Sequence, residues 1–253
     1  MKYLARIAYI GTEFSGFQIQ PKERTVMGTL SSALALLFGA EPTIKGCSRT
    51  DSGVHATGFC VTIECDKTNI PPERLALAAI PYMPNDLSIM EAIEVDDSFH
   101  VRYDVKTKTY LYRIYNSRTP HPMEYKRAWF LPQLISEEGI DVMRVVSRDL
   151  IGTHDFSSFM AEGSDVVSTV RTIEDINIEK NNNVICIRIR ADGFLYNMVR
   201  IIVGTLVDMA LNRKCTHTMK EILESKNRAL AGMTAPAEGL YLEKIVYKNG
   251  FSF

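Results

Sequence analysis

The chain has 253 residues, room for one large or two small domains and enough to bury a sizeable core without disulfide support. Its 46% hydrophobic and 23% charged residues exclude a disordered or fibrous protein. With 29 Lys+Arg against 30 Asp+Glu the net charge is −1, which excludes coating of nucleic acid by bulk charge and leaves room for a local basic face. Residues 2–9 alternate Tyr3, Ala5, Ile7 and Tyr9 as a strand does. After Thr25, the residues Val26, Leu30, Ala33, Leu34 and Leu37 recur at helical spacing until Gly39 and Pro42 stop them. A short strand leads into Gly46, and Phe59, Val61 and Ile63 alternate in the next. Pro71 and Pro72 open a helix through Leu75 and Ala79, Pro81 ends it, and residues 87–95 return as a strand.

The second half repeats that order. A long strand runs through Val105, Thr107, Thr109, Leu111 and Arg113, with Tyr110, Tyr112 and Ile114 on its other face. Ser136 starts a helix carrying Ile140, Met143, Val146 and Leu150. Residues 170–179 and 184–191 form a hairpin across Asn181-Asn182-Asn183. A helix from about Leu195 to Leu211 follows, then a shorter one opened by Thr218 and Glu221 at capping-box spacing, and residues 241–247 close as a strand. The expected class is α+β: two ferredoxin-like, RRM-like βαββαβ units packed side by side, residues 1–98 and 99–253, with an active-site cleft between their sheets.

The opening MKYLARIAYIGTEF reads as a strand rather than a signal peptide, and the apolar stretch after Arg200 is broken by Asp208 before it could span a bilayer. Cys47, Cys60, Cys65, Cys186 and Cys215 are odd in number and lack CxxC spacing, as thiols of a reducing cytoplasm would. The expected location is cytoplasmic.

Three stretches could carry chemistry. Gly46-Cys-Ser-Arg-Thr-Asp-Ser-Gly-Val-His-Ala-Thr-Gly58 places Arg49, Asp51 and His55 in a small-residue loop between two strands. A guanidinium two residues from a carboxylate would hold it ionised, as a nucleophile must be; from spacing alone, a tight turn capped by Asp51 is the simpler reading. Residues 106–127 hold Lys106, Lys108, Arg113, Arg118, Lys126 and Arg127 against Glu124, interleaved with Tyr110, Tyr112, Tyr115 and Tyr125. Cations for phosphate with aromatics for bases suit a nucleic-acid surface, and equally a solvated strand whose tyrosines are half core. Gly193-Phe-Leu-Tyr-Asn-Met-Val-Arg200 is a strand-to-helix junction whose Arg200 sits on an otherwise apolar helix and calls for an acidic partner. His55, His100, His121, His154 and His217 never fall at ligand spacing, and no nucleophile elbow, phosphate loop or zinc signature occurs. The rival to an enzyme is a non-catalytic RNA binder.

Arg49-Thr-Asp-Ser-Gly-Val-His-Ala56 resembles the signature of the tRNA pseudouridine synthase A family, usually Arg-Thr-Asp-Ala-Gly-Val-His-Ala. The resemblance extends in order through Tyr9-Ile-Gly-Thr-Glu-Phe-Ser-Gly-Phe-Gln-Ile-Gln20, Lys108–Asn116, Gly152-Thr-His-Asp-Phe156, Gly193–Arg200 and Ala235-Pro-Ala-Glu-Gly-Leu240. It implies isomerisation of uridine to pseudouridine in the tRNA anticodon arm, at positions 38, 39 and 40. It also implies Asp51 as catalytic nucleophile and Tyr110 packed on the target base. Arg49 would fill the space of the flipped-out nucleotide, and Arg200 would pair with Asp51. Further implications are a homodimer crossed by the anticodon arm, and no metal or organic cofactor. Ser52 stands where the family usually has alanine, a small-for-small change. Relatives with other RNA targets exist, so another RNA uridine is the alternative substrate.

Overall fold

The computed structural model describes residues 1–66, 68–163, 166–213 and 217–252. In chain order come β1 (Lys2–Tyr9), α1 (Val26–Phe38), β2 (Thr43–Gly46), β3 (His55–Glu64), α2 (Pro72–Ala79), β4 (Leu87–Glu94), β5 (Val105–Asn116) and β6 (Trp129–Leu131). Then follow α3 (Glu137–Val146), β7 (Gly152–Asp155), β8 (Val170–Asn181), β9 (Val184–Ala191), α4 (Met198–Ala210), α5 (Met219–Ser225) and β10 (Leu240–Tyr247). The class is α+β, as expected.

The chain forms two compact units, Met1–Lys106 with Tyr241–Phe253, and Thr107–Leu240. The sequence boundary at residue 98 precedes the first of these divisions, and the closing strand is counted with the first unit.

In the first unit the six leading elements run βαββαβ, and the sheet order is β4-β1-β3 with β2 on the far edge of β3. This is the ferredoxin-like arrangement. Strand β3 shares that edge. Its C-terminal half pairs antiparallel with β2 (Gly46 opposite Val61), and its first residues pair parallel with β10 (Tyr241 opposite His55). Helix α1 forms because Thr25 caps it, its side chain accepting the Gly28 N–H at 3.2 Å, and Gly39 ends it in the left-handed region. Its buried face of Val26, Leu30, Ala33, Leu34 and Phe38 joins Tyr3, Ile7, Phe59, Val61 and Ile63 in the core.

In the second unit β5, β9, β8 and β7 pair antiparallel in that order, and β6 adds in parallel to β5. The β8–β9 hairpin turns where expected, with Asn182 taking the left-handed φ of 54° that asparagine tolerates. The Thr218–Glu221 capping box is present in full. Strands β6 and β7, of three and four residues, are too short to show a period in the sequence. Helix α4 starts at Met198 rather than near Leu195, because Asn197 adopts φ 59° and breaks the helical run before it. Cys47, Cys60, Cys65 and Cys186 are thiols, and Cys215 lies outside the described residues.

Candidate active site

The loop between β2 and β3 is tied at its base and crossed by the opening segment of the chain. The Cys47 N–H donates to the Cys60 carbonyl at 2.9 Å, and the Cys60 N–H donates to Cys47 Sγ at 3.4 Å. Thr50 is buried, its carbonyl accepting the Phe17 N–H at 3.1 Å and its hydroxyl meeting the Tyr9 hydroxyl at 2.7 Å. The turn closes when the Val54 N–H reaches the Asp51 carbonyl at 3.2 Å, with Gly53 at φ 79°. The Ser52 hydroxyl donates to the Phe14 carbonyl at 3.2 Å. Asp51 is thus a half-buried carboxylate on a backbone fixed on both sides, and Arg49 is exposed two residues before it.

The glycines of the opening segment allow this approach. A Cβ on Gly11 would overlap the Val54 carbonyl oxygen, and one on Gly16, at φ 86°, would stand 2.8 Å from the Thr50 carbonyl oxygen. Tyr9, Gly11 and Gly16 are therefore supports of the Asp51 loop that spacing could not reveal. His55 belongs to the same scaffold. Its buried Nδ1 accepts the Gly11 N–H at 3.0 Å, which assigns the ring proton to Nε2, and the ring stacks on Tyr241 at 4.6 Å.

The second unit holds Tyr110 and Arg200. Tyr110 stands opposite Ile189 of β9, is 7% exposed, and meets the Phe194 ring edge-on at 5.0 Å. Phe194 leads into the junction that carries Arg200. There the left-handed Asn197 offers Oδ1 to Arg200 Nη1 at 2.7 Å, while Arg200 Nε donates to the Ala235 carbonyl at 2.7 Å. The Ala235 N–H returns to the Arg200 carbonyl at 3.1 Å. Arg200 is fixed in one direction by neutral oxygens from two segments.

Tyr112, one of the four interleaved tyrosines, completes this group. Its hydroxyl donates to the Pro236 carbonyl at 2.7 Å, and burial pushes its pKa well up, with the Arg200 charge opposing. A Cβ on Gly239 would meet the Tyr112 ring at 2.6 Å, which explains a small residue in the Ala235–Leu240 block. The expected set is thus split by unit: Arg49 and Asp51 in the first, Tyr110 and Arg200 in the second.

The basic stretch is less uniform than its composition. Lys106 and Arg118 are exposed, whereas Arg113 is half-buried and ion-paired to Glu124 at 3.0 Å. Among the described residues, no group of three or more His, Cys, Asp or Glu side chains could hold a metal ion, and no helix is long and apolar enough to cross a membrane.

A family model described as tRNA pseudouridine synthase matches residues 5–104 and 146–248. The chain belongs to that family. It is 43% identical over 241 residues to the tRNA pseudouridine synthase A of Thermoanaerobacter sp., covering 95% of this chain and 97% of the relative. The protein of the same name from Acetivibrio thermocellus is 40% identical over 241 residues, at 95% and 97% coverage. That of Lacticaseibacillus casei is 40% identical over 248 residues, at 97% and 99% coverage. Asp51 lies in the first stretch matched by the family model and Arg200 in the second, while Tyr110 falls between them.

Proposed function

We propose that the protein is a cytoplasmic tRNA pseudouridine synthase that converts uridines 38, 39 and 40 of the anticodon arm to pseudouridine. The reaction is an isomerisation. The bond from ribose C1′ to N1 of uracil breaks, the base turns, and a C1′–C5 bond forms. N1 gains a proton and the C5 hydrogen leaves to water, so no oxidant or reductant is consumed. The observation that carries this reading is the family match, which includes the Arg49–Ala56 segment.

In this reading Asp51 is the nucleophile, attacking the base or the sugar. The small-residue backbone around it fits that role, because a fixed carboxylate loses little entropy on attack. Arg200, held by Asn197 and the Ala235 carbonyl, would pair with the Asp51 carboxylate; Tyr110 would pack on the uracil ring and Arg49 fill the gap left by the extruded nucleotide. Extraction of a base takes a few kcal/mol, least at loop-adjacent sites, which agrees with an anticodon-arm target. The family resemblance supports a homodimer with the tRNA arm crossing both subunits.

Release of tritium from an unmodified tRNA transcript labelled at uridine C5 tests this reading. Purified protein should release label with EDTA present, at anticodon-arm positions. Binding without release would leave the RNA-binder reading, and loss of release with EDTA would refute cofactor-free catalysis.

A further inference from the structure

We propose that residues 117–128, the loop from β5 to β6, are a nucleotide-docking site. Tyr125 stacks on an unpaired base of the tRNA, and Arg118, Lys126 and Arg127 hold the phosphates beside it. The inference rests on tRNA being the substrate.

Tyr125 is 73% exposed and Met123 76%, two large apolar side chains turned outward within three residues. Slack in the chain does not explain this, because the loop is tied down. Arg113 Nη2 holds Glu124 Oε2 at 3.0 Å and Oε1 at 3.1 Å. The Met123 N–H donates to His121 Nδ1 at 3.2 Å, and the N–H groups of Arg127 and Ala128 both donate to the Glu124 carbonyl, at 3.0 and 3.2 Å. Lys126 is held at φ 54°, a conformation unfavourable for a residue with a Cβ, and its Nζ stands 5.7 Å from the Tyr125 ring centroid. A pinned loop that displays an aromatic face beside a cation is built to meet a ligand without prior ordering.

Charge identifies the ligand. Within residues 117–128 the sequence carries Arg118, Lys126 and Arg127 against one carboxylate, Glu124, which Arg113 meets, and Arg118 is exposed beside the ring-bearing segment. Cations around an exposed ring complement phosphates around a base. The loop also lies between the two stretches that the family model matches, so those stretches do not account for it.

The test is the affinity of the full-length protein for an unmodified tRNA transcript across a salt series, with tritium release measured in parallel. Tyr125→Ala should weaken binding about 5- to 150-fold, the range for removing the ring beneath one stacked base, without changing the salt slope. Tyr125→Phe keeps the ring and should bind as the parent does. Arg118→Ala should flatten the slope by about 0.7–0.9 for each phosphate it no longer neutralises. KM should rise with Kd while kcat changes less. Parent-like affinity in folded Tyr125→Ala overturns the proposal, as does a change in oligomeric state at unchanged affinity. Parent protein that binds tRNA through Tyr125 and releases no tritium would instead refute the catalytic reading alone.

Discussion

Gly11→Ala asks whether the opening segment of the chain holds the Asp51 loop in position. The added Cβ would overlap the Val54 carbonyl oxygen and stand 2.5 Å from its carbon, both backbone atoms that cannot rotate away. The loop must therefore shift. Overpacking of this kind costs about 1–3 kcal/mol, and a chain of this size loses about 2–4 °C of Tm per kcal/mol, so the melt should fall by about 2–12 °C. Val54 lies three residues after Asp51, and the Val54 N–H closes the turn on the Asp51 carbonyl at 3.2 Å. A displacement of about 1 Å at a reacting group costs about 100-fold in rate. Gly39→Ala is the matched comparison. Gly39 sits at φ 66° with nothing within 4 Å of an added Cβ, so alanine costs about 1–2 kcal/mol through backbone strain alone. Thermal melts and tritium release per folded molecule should give two comparable stability losses and one large activity loss, in Gly11→Ala. Equal turnover by the two folded variants would refute the claim that this approach of Gly11 to Val54 positions Asp51 for the proposed reaction.

Tyr110→Phe retains the ring that meets Phe194 and loses the hydroxyl, so it should reduce kcat more than tRNA affinity; equal losses would assign Tyr110 to binding alone. Asp155 should leave a mark on acid stability. Its carboxyl is held down to about 2, first by the Thr169 hydroxyl at 2.6 Å and then by Lys226 and the Ser157 N–H. A folded pKa below the unfolded value of about 3.9 contributes stability above that pH, and the contribution is lost as pH falls through about 2. The stability gap between the parent and Asp155→Asn should therefore be constant above about pH 4 and close towards pH 2, as read from urea melts.

What the sequence made legible was local. Thr25, Gly39, the Asn181–Asn183 turn and the Thr218–Glu221 box each act within a few residues of themselves, and each marks an element where it was expected. What it hid were approaches between distant segments. Gly11 and Gly16 look like ordinary turn glycines until the Asp51 loop, about forty residues later, is seen against them. Tyr112 reads as one face of an alternating strand, and only the fold brings its hydroxyl to Pro236, 124 residues away. Arg200 could be placed on an apolar helix from its spacing, but only the fold brings the Ala235 carbonyl and Asn197 Oδ1 to its Nε and Nη1. The identity of the candidate site came from the order of short motifs, and its rigidity from packing that no motif states.

The central claim is that Asp51 is the nucleophile and more than a turn residue. Asp51→Asn is nearly isosteric and keeps the backbone carbonyl that accepts the Val54 N–H, so the turn should survive. Tritium release from C5-labelled tRNA transcript, measured beside binding affinity, separates the two roles. The account predicts no detectable release by Asp51→Asn, with affinity within a few-fold of the parent. Release at the parent rate by the folded variant would contradict it.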